Sequence, residues 1–163
     1  MLTIRYATND DREAVWDVIR PTIRGGATYT YDKNWSKSGA LDYWMGDDKH
    51  TFVAEADKQI LGTYYLRTNQ LGGGRHVCNC GYMTAEAARG RGVAREMCLH
   101  SQRIAPDLGY KAMQFNFVVS SNVGAVRLWQ KLGFDIVGTL PRAFDHPVEG
   151  LVDAHVMYKW LSD

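Results

Sequence analysis

Between His76 and Leu108 the chain passes from an alternating β-rich segment, through Arg89-Gly90-Arg91-Gly92-Val93-Ala94, into its clearest helical stripe. No other stretch restricts the fold as much. A strand feeding a helix through a short glycine turn is the first half of a crossover, the connection that parallel strands require. The helix, Val93 to Ala105, sets Val93, Met97 and Ile104 on one side, and Leu108 extends the stripe. Pro106 distorts or ends it, because proline lacks the helical N–H. Lys111 to Val119 returns as a β-rich run through Phe115, Phe117, Val118 and Val119. Ser120-Ser121-Asn122 then caps a short helix carrying Val126, Trp129 and Leu132, which Gly133 stops. Asp135 to Leu140 and Asp153 to Leu161 read as closing strands, with a loop holding Pro141 and Pro147 between them.

The first half connects differently. Leu2 to Ala7 alternates as a strand, and Asn9-Asp10-Asp11 offers an N-cap. Ala14, Val15, Val18 and Ile19 then form a helical stripe ending before Pro21. From Arg24 to Lys49 the pattern is irregular, with an aromatic cluster at Tyr29, Tyr31, Trp35, Tyr43 and Trp44 and one short helix, Ser38 to Met45. Thr51 to Ala56 and Gln59 to Leu66 form a hairpin on the tight Asp57-Lys58 turn. Leu71-Gly72-Gly73-Gly74 breaks the chain before a strand at His76 to Thr84. Hairpins first and helical crossovers later imply an α/β fold with a mixed (α+β) sheet and helices on both faces, in the order β-α-α-β-β-β-α-β-α-β-β.

At 163 residues, with no linker-like stretch and no repeat, the chain fits one domain spanning 1–163. Its 19 basic and 18 acidic side chains form no basic block, which speaks against nucleic acid as a partner. No signal peptide opens the sequence and no apolar run approaches a membrane span. Three cysteines, an odd number, fit a reducing compartment, so the cytoplasm is the expected location.

The glycine loop carries the chemistry. Gly90 and Gly92 give the backbone access to conformations closed to other residues and allow close approach of a ligand. The unpaired N–H groups and dipole of the following helix start favour a phosphate or pyrophosphate, and Arg89 and Arg91 add cationic donors. The loop is not a Walker A motif, which needs Gly-Lys-Ser/Thr. Nor is it a dinucleotide fingerprint, since Arg95 stands where a third small residue belongs. On composition alone, a tight βα turn with solvated arginines remains open.

The loop after the fourth strand, followed by Asn122 and by Ala125-Val126-Arg127-Leu128-Trp129-Gln130-Lys131-Leu132-Gly133-Phe134, resembles the GNAT superfamily of acyl-CoA-dependent N-acyltransferases. The resemblance implies acetyl-CoA as cosubstrate. It places the pyrophosphate on Arg89, Gly90, Arg91, Gly92, Val93 and Ala94, and the pantetheine along Tyr82, Met83 and Thr84. It also brings Asn122 against the cofactor's arm. Trp129, grouped with these cofactor-side residues, occupies the position where many of these enzymes carry a tyrosine acid. An indole N–H donates a hydrogen bond but delivers no proton at neutral pH, so the catalytic acid is unassigned. A nearby tyrosine, a water or direct departure of the thiolate replaces it.

The fourth strand also lacks the glutamate base common in the family. Period-two geometry puts His76, Cys78 and Cys80 on one face and Val77, Asn79 and Gly81 on the other. Residues two apart on a strand splay in a line, so no metal site is expected there. Asn79 and Asn116 are amides in otherwise apolar strands and need partners or a ligand. Either they face a substrate, or they satisfy backbone groups where the fourth and fifth strands diverge. Together with Trp129, these residues are similar to a narrower group, the fungal azetidine-2-carboxylate (toxic proline analogue) acetyltransferases. Arg24-Gly25-Gly26-Ala27 departs from that group, where an acidic residue is common.

The expected activity is acetyl transfer to the amine of a small molecule, an amino acid or toxic analogue. Asn79 and Asn116 orient it, and Tyr29 and Tyr31 wall its pocket. The alternatives are a protein N-terminus or lysine as acceptor, or a non-catalytic acyl-CoA-binding module. The expected partner is a small amine, not a membrane, with pairing into a homodimer left open.

Overall fold

The computed structural model describes residues 1–161. Its elements follow the expected order: β1 (Thr3–Tyr6), α1 (Arg12–Gly25), α2 (Lys37–Trp44), β2 (Lys49–Ala56), β3 (Gln59–Thr68), β4 (Val77–Thr84), α3 (Val93–Asp107), β5 (Ala112–Val119), α4 (Val123–Lys131), β6 (Asp135–His146) and β7 (Gly150–Trp160). They form one seven-stranded sheet ordered β1-β2-β3-β4-β5-β7-β6. The β4–β5 pair is parallel, and the other five pairs are antiparallel. The β2–β3 hairpin closes on Asp57 and Lys58 with φ of 50° and 63°, a turn whose twist matches that of the strands it joins.

Helices cover both faces. Under α3 and α4, Phe52, Tyr64, Met97, Phe115 and Phe134 pack as one apolar cluster. Under α1 and α2, Val15, Ile19, Trp44, Val53, Tyr65 and Met83 form the other. Among the described residues no helix is long and apolar enough to cross a membrane.

Three local expectations are corrected. First, α1 does not stop before Pro21 but runs on to Gly25 and is capped by Gly26 at φ 62°. The bond that Pro21 forfeits is the one to the carbonyl of Asp17, an exposed residue whose carbonyl water can serve. Second, the side chain of Asp11 caps no helical N–H of α1. Its carboxylate turns back instead, accepting from Thr8 N at 2.7 Å and from both terminal nitrogens of Arg5 at 2.8 and 2.9 Å. Third, Pro141 is not in a loop but inside β6, and only a short turn containing Pro147 separates β6 from β7. The register shifts between Leu140 and Phe144, so a bulge on an edge strand absorbs the missing donor.

The consequential feature lies at the centre of the sheet. β4 pairs with β5 only over Val77–Asn79 and Ala112–Gln114, though β4 continues to Thr84 and β5 to Val119. Beyond Asn79 the two strands part. The β5–β7 register also shifts between Phe115 and Val118, so β5 bends away where it leaves β4.

Candidate active site

A cavity of about 870 Å³ fills the gap between β4 and β5. One end is the glycine loop. Gly90 and Gly92 hold φ of 74° and 80°, and a Cβ at either would meet nothing within 4 Å. Glycine is therefore needed there for conformation and not for space inside the protein. Gly92 is the N-cap of α3, so the first N–H groups of that helix emerge beside the loop. Neither Arg89 nor Arg91 enters an ion pair among the described residues. An open cradle of free N–H groups with unpaired guanidinium groups fits a pyrophosphate.

The cavity wall includes Tyr82, Met83, Thr84, Arg89, Gly90, Ala94, Asn122 and Trp129 from the cofactor set, and Asn79, Asn116, Tyr29 and Tyr31 from the substrate set. Arg91, Gly92 and Val93 are not part of it. Arg91 and Gly92 are exposed, and Val93 is buried in the core against the position of Gly62. Asn122 sits at the N-cap of α4 without a side-chain cap bond, contrary to the capping role expected of it. Only its backbone carbonyl serves the helix, accepting from Val126 at 3.1 Å. Its side chain is left to the cavity.

Trp129 is buried, its ring 5.1 Å from Tyr82 and 5.2 Å from Phe115, so it packs as part of the core while its edge lines the cavity. The β4 edge is met by another phenol. Tyr29 Oη donates to Tyr82 O at 2.8 Å and accepts from Tyr82 N at 2.9 Å. One hydroxyl thus satisfies both backbone groups of a residue that β5 no longer reaches. Burial raises the Tyr29 pKa above that of an ordinary phenol, so the group is a neutral donor.

At the opposite end from the glycine loop, side-chain amides form a chain. Asn79 Nδ2 donates to Gln114 O at 3.0 Å, Gln114 Nε2 to Asn116 Oδ1 at 2.9 Å, and Asn116 Nδ2 to Asn69 Oδ1 at 2.7 Å. Asn79 thus meets the last backbone group of β5 before the strands part, and both amides line the cavity. Tyr29 and Tyr31 stack at 5.2 Å, and Tyr31 leans on Trp35 and Tyr43 at 5.3 and 5.5 Å, so that Tyr29, Tyr31 and Tyr43 wall this end with rings.

Tyr65 and Arg67 also line the site and were not singled out from the sequence. The available signal was register: Arg67 lies opposite Asn79, and Tyr65 opposite Gly81, where a Cβ would meet the Tyr65 ring at 2.8 Å. Cys78 and Cys80 are buried free thiols, and no group of three or more potential metal-ligating side chains occurs among the described residues.

Residues 13–134 match the acetyltransferase (GNAT) family. The chain is similar to a GCN5-related N-acetyltransferase from Kribbella flavida of known structure, with 41% identity, 98% of each chain covered and a TM-score of 0.93. It is 28% identical over 157 residues to the N-acetyltransferase aca1 of Schizosaccharomyces pombe, covering 85% of this chain and 74% of that one. A phosphinothricin acetyltransferase from Sinorhizobium meliloti, solved in complex with acetyl-CoA, shares the fold with a TM-score of 0.87 at 17% identity, covering 99% of this chain and 89% of that one. The chain therefore belongs to the acetyltransferase (GNAT) family, enzymes that transfer an acetyl group from acetyl-CoA.

Proposed function

We propose that the chain is a single N-acetyltransferase domain, 1–163 (162–163 lie outside the described residues), that acetylates the amine of a small amino acid or toxic analogue such as azetidine-2-carboxylate. The observation that carries this reading is the β4–β5 gap, which joins a phosphate-type cradle at one end to a ring-walled, amide-lined chamber at the other. A peptide acceptor needs an open groove. The stack of Tyr29, Tyr31, Trp35 and Tyr43 favours a small ligand.

In this reading Arg89, Gly90 and Ala94 receive the pyrophosphate with the first N–H groups of α3, while Arg91 acts from the rim. Tyr82, Met83 and Thr84 present the unpaired β4 edge to the pantetheine, and Asn122 reaches its arm. Asn79 and Asn116 orient the amine. The tetrahedral oxyanion needs a donor, and Tyr82 N–H is available once Tyr29 yields it. Buried free thiols at Cys78, Cys80 and Cys98 agree with a cytoplasmic setting, and the exposed Ile136, Val137 and Leu140 of β6 leave an edge for a second copy.

The test is thiol release from acetyl-CoA across small amino acids, imino acids, simple amines and peptides, with product masses. Transfer to small amino or imino acids is the expected result. Transfer to peptides alone, or to nothing, overturns the reading.

A further inference from the structure

Register lines up a polar row across the face of the sheet that α1 and α2 cover: Lys49 on β2, Arg67 on β3, Asn79 on β4 and Gln114 on β5. Asn79 donates to the backbone carbonyl of Gln114 at the point where the strands part, and the Gln114 side chain donates to Asn116. Lys49 is also provided for. Its side chain is 2% exposed, its Nζ lies 3.0 Å from Asp48 Oδ1, and it sits 3.9 Å from the centre of the Tyr43 ring. Arg67 is different. It lines the cavity and its Nε is buried with no hydrogen-bond partner, while its terminal nitrogens are not among the buried unpartnered atoms of the described residues.

An Nε–H is rarely left in this state in folded proteins, because a buried donor without a partner loses its hydration for nothing. No local acid answers it. Asp48, the nearest candidate, is bound to Lys49 and makes no ion pair with Arg67. Glu86 is the one carboxylate in the cavity wall, and it belongs to the turn before Arg89 at the cradle end. Lys49, Arg67 and Asp48 together leave this end with one uncompensated positive charge. Arg67 lies opposite Asn79, and amides and rings share the cavity wall with it: Asn116, Tyr31, Tyr43 and Tyr65.

We infer that Arg67 is the carboxylate anchor of the acceptor site: its Nε–H and one terminal N–H take the two oxygens of the substrate's carboxylate as a parallel pair. The fork of guanidinium donors matches a carboxylate's two oxygens, which a lysine's point charge does not. The amino- or imino-acid acceptor proposed above thereby gains a residue that requires its free carboxylate. Arg67 becomes a specificity-determining residue, with Asn79 and Asn116 left to the amine side. This inference rests on the acetyl-transfer reading for its kinetic test and on binding alone for its second test.

The kinetic test compares L-azetidine-2-carboxylate, its carboxamide and unsubstituted azetidine, at saturating acetyl-CoA, in the wild type, Arg67→Lys and Arg67→Gln. The wild type is expected to favour the acid over the carboxamide at least about tenfold in kcat/KM, since a site built for a partner rejects the analogue that lacks it. Arg67→Gln should bring that ratio near unity by losing the acid alone, with the KM for acetyl-CoA unchanged, and Arg67→Lys should fall between. A wild-type ratio near unity, or a ratio that survives Arg67→Gln, overturns the inference.

The second test follows the Arg67 Nε–Hε resonance, assigned by its loss in Arg67→Lys, while sodium acetate is titrated against a sodium chloride control. A saturable downfield shift specific to acetate supports the anchor, and no difference from chloride overturns it. Should none of the three amines be acetylated, this titration alone decides the role of Arg67.

Discussion

Asn122 shows how a residue can hold a capping position and leave its side chain free. Because that side chain makes no cap bond, Asn122→Ala should lower stability by well under the usual cost of about 1 kcal/mol for losing a cap. If the side chain serves the cofactor instead, the KM for acetyl-CoA should rise while the melting temperature barely moves. A lower melting temperature with an unchanged KM would return the residue to a structural role. Asn79 was conspicuous in the sequence because an amide in an apolar strand must be explained, and the structure shows it satisfying a backbone group at the edge of the cavity. It ties β4 to the last paired carbonyl of β5 and lines the cavity. Arg67 was not conspicuous. A cation near the end of a strand ordinarily reaches solvent, and only the three-dimensional register reveals that this one lies opposite Asn79 in the cavity wall.

At the scale of elements, sequence pattern sufficed where one signal acted alone. The positive-φ turn at Asp57-Lys58 and the glycine entry to α3 were both legible for that reason. It failed where a proline's effect depended on surroundings. Pro21 is tolerated because the carbonyl it orphans belongs to exposed Asp17, and Pro141 because β6 is an edge strand with a bulge. Neither condition is written locally. The glycine loop yields a prediction in two steps. Gly92→Ala adds a Cβ that meets nothing within 4 Å but forces a left-handed conformation on an L-residue, so stability should fall by about 1–2 kcal/mol. Gly92→Glu should lose the same stability and also abolish acetyl-CoA binding, because its carboxylate enters the region where an anion would sit. Calorimetric titration of acetyl-CoA into both variants checks this. Equal affinities in the two would place the phosphate elsewhere.

Over the whole molecule, one corner of the fold contributes to acid tolerance. Arg5 bonds Asp11 and Glu55 together, joining β1, β2 and the entry to α1. The Arg5 bonds, with help from Thr8, hold the Asp11 carboxyl below its ordinary pKa. A depressed folded-state pKa contributes stability that is complete above the unfolded value, near 4, and is lost as pH falls through the folded one. Asp11→Asn should therefore cost about 1–2 kcal/mol at neutral pH, tempered by the exposure of Arg5. The variant's stability should also decline less steeply below about pH 4, as urea unfolding across pH would read out. Parallel curves for variant and wild type would remove Asp11 from the acid limb.

The cleft at the middle of the sheet raises a different question, why an unpaired strand edge does not recruit a stray strand from another molecule. Tyr29 answers it by acting as a stopper, with one phenol standing in for a missing strand at Tyr82. Any arm that zips onto β4 there must first draw the stopper. On the proposed pantetheine path, ligand entry would then be an exchange of partners at Tyr82. On that path the two bonds broken at Tyr29 would weaken cofactor binding, the counterpart of a seam held shut between turnovers.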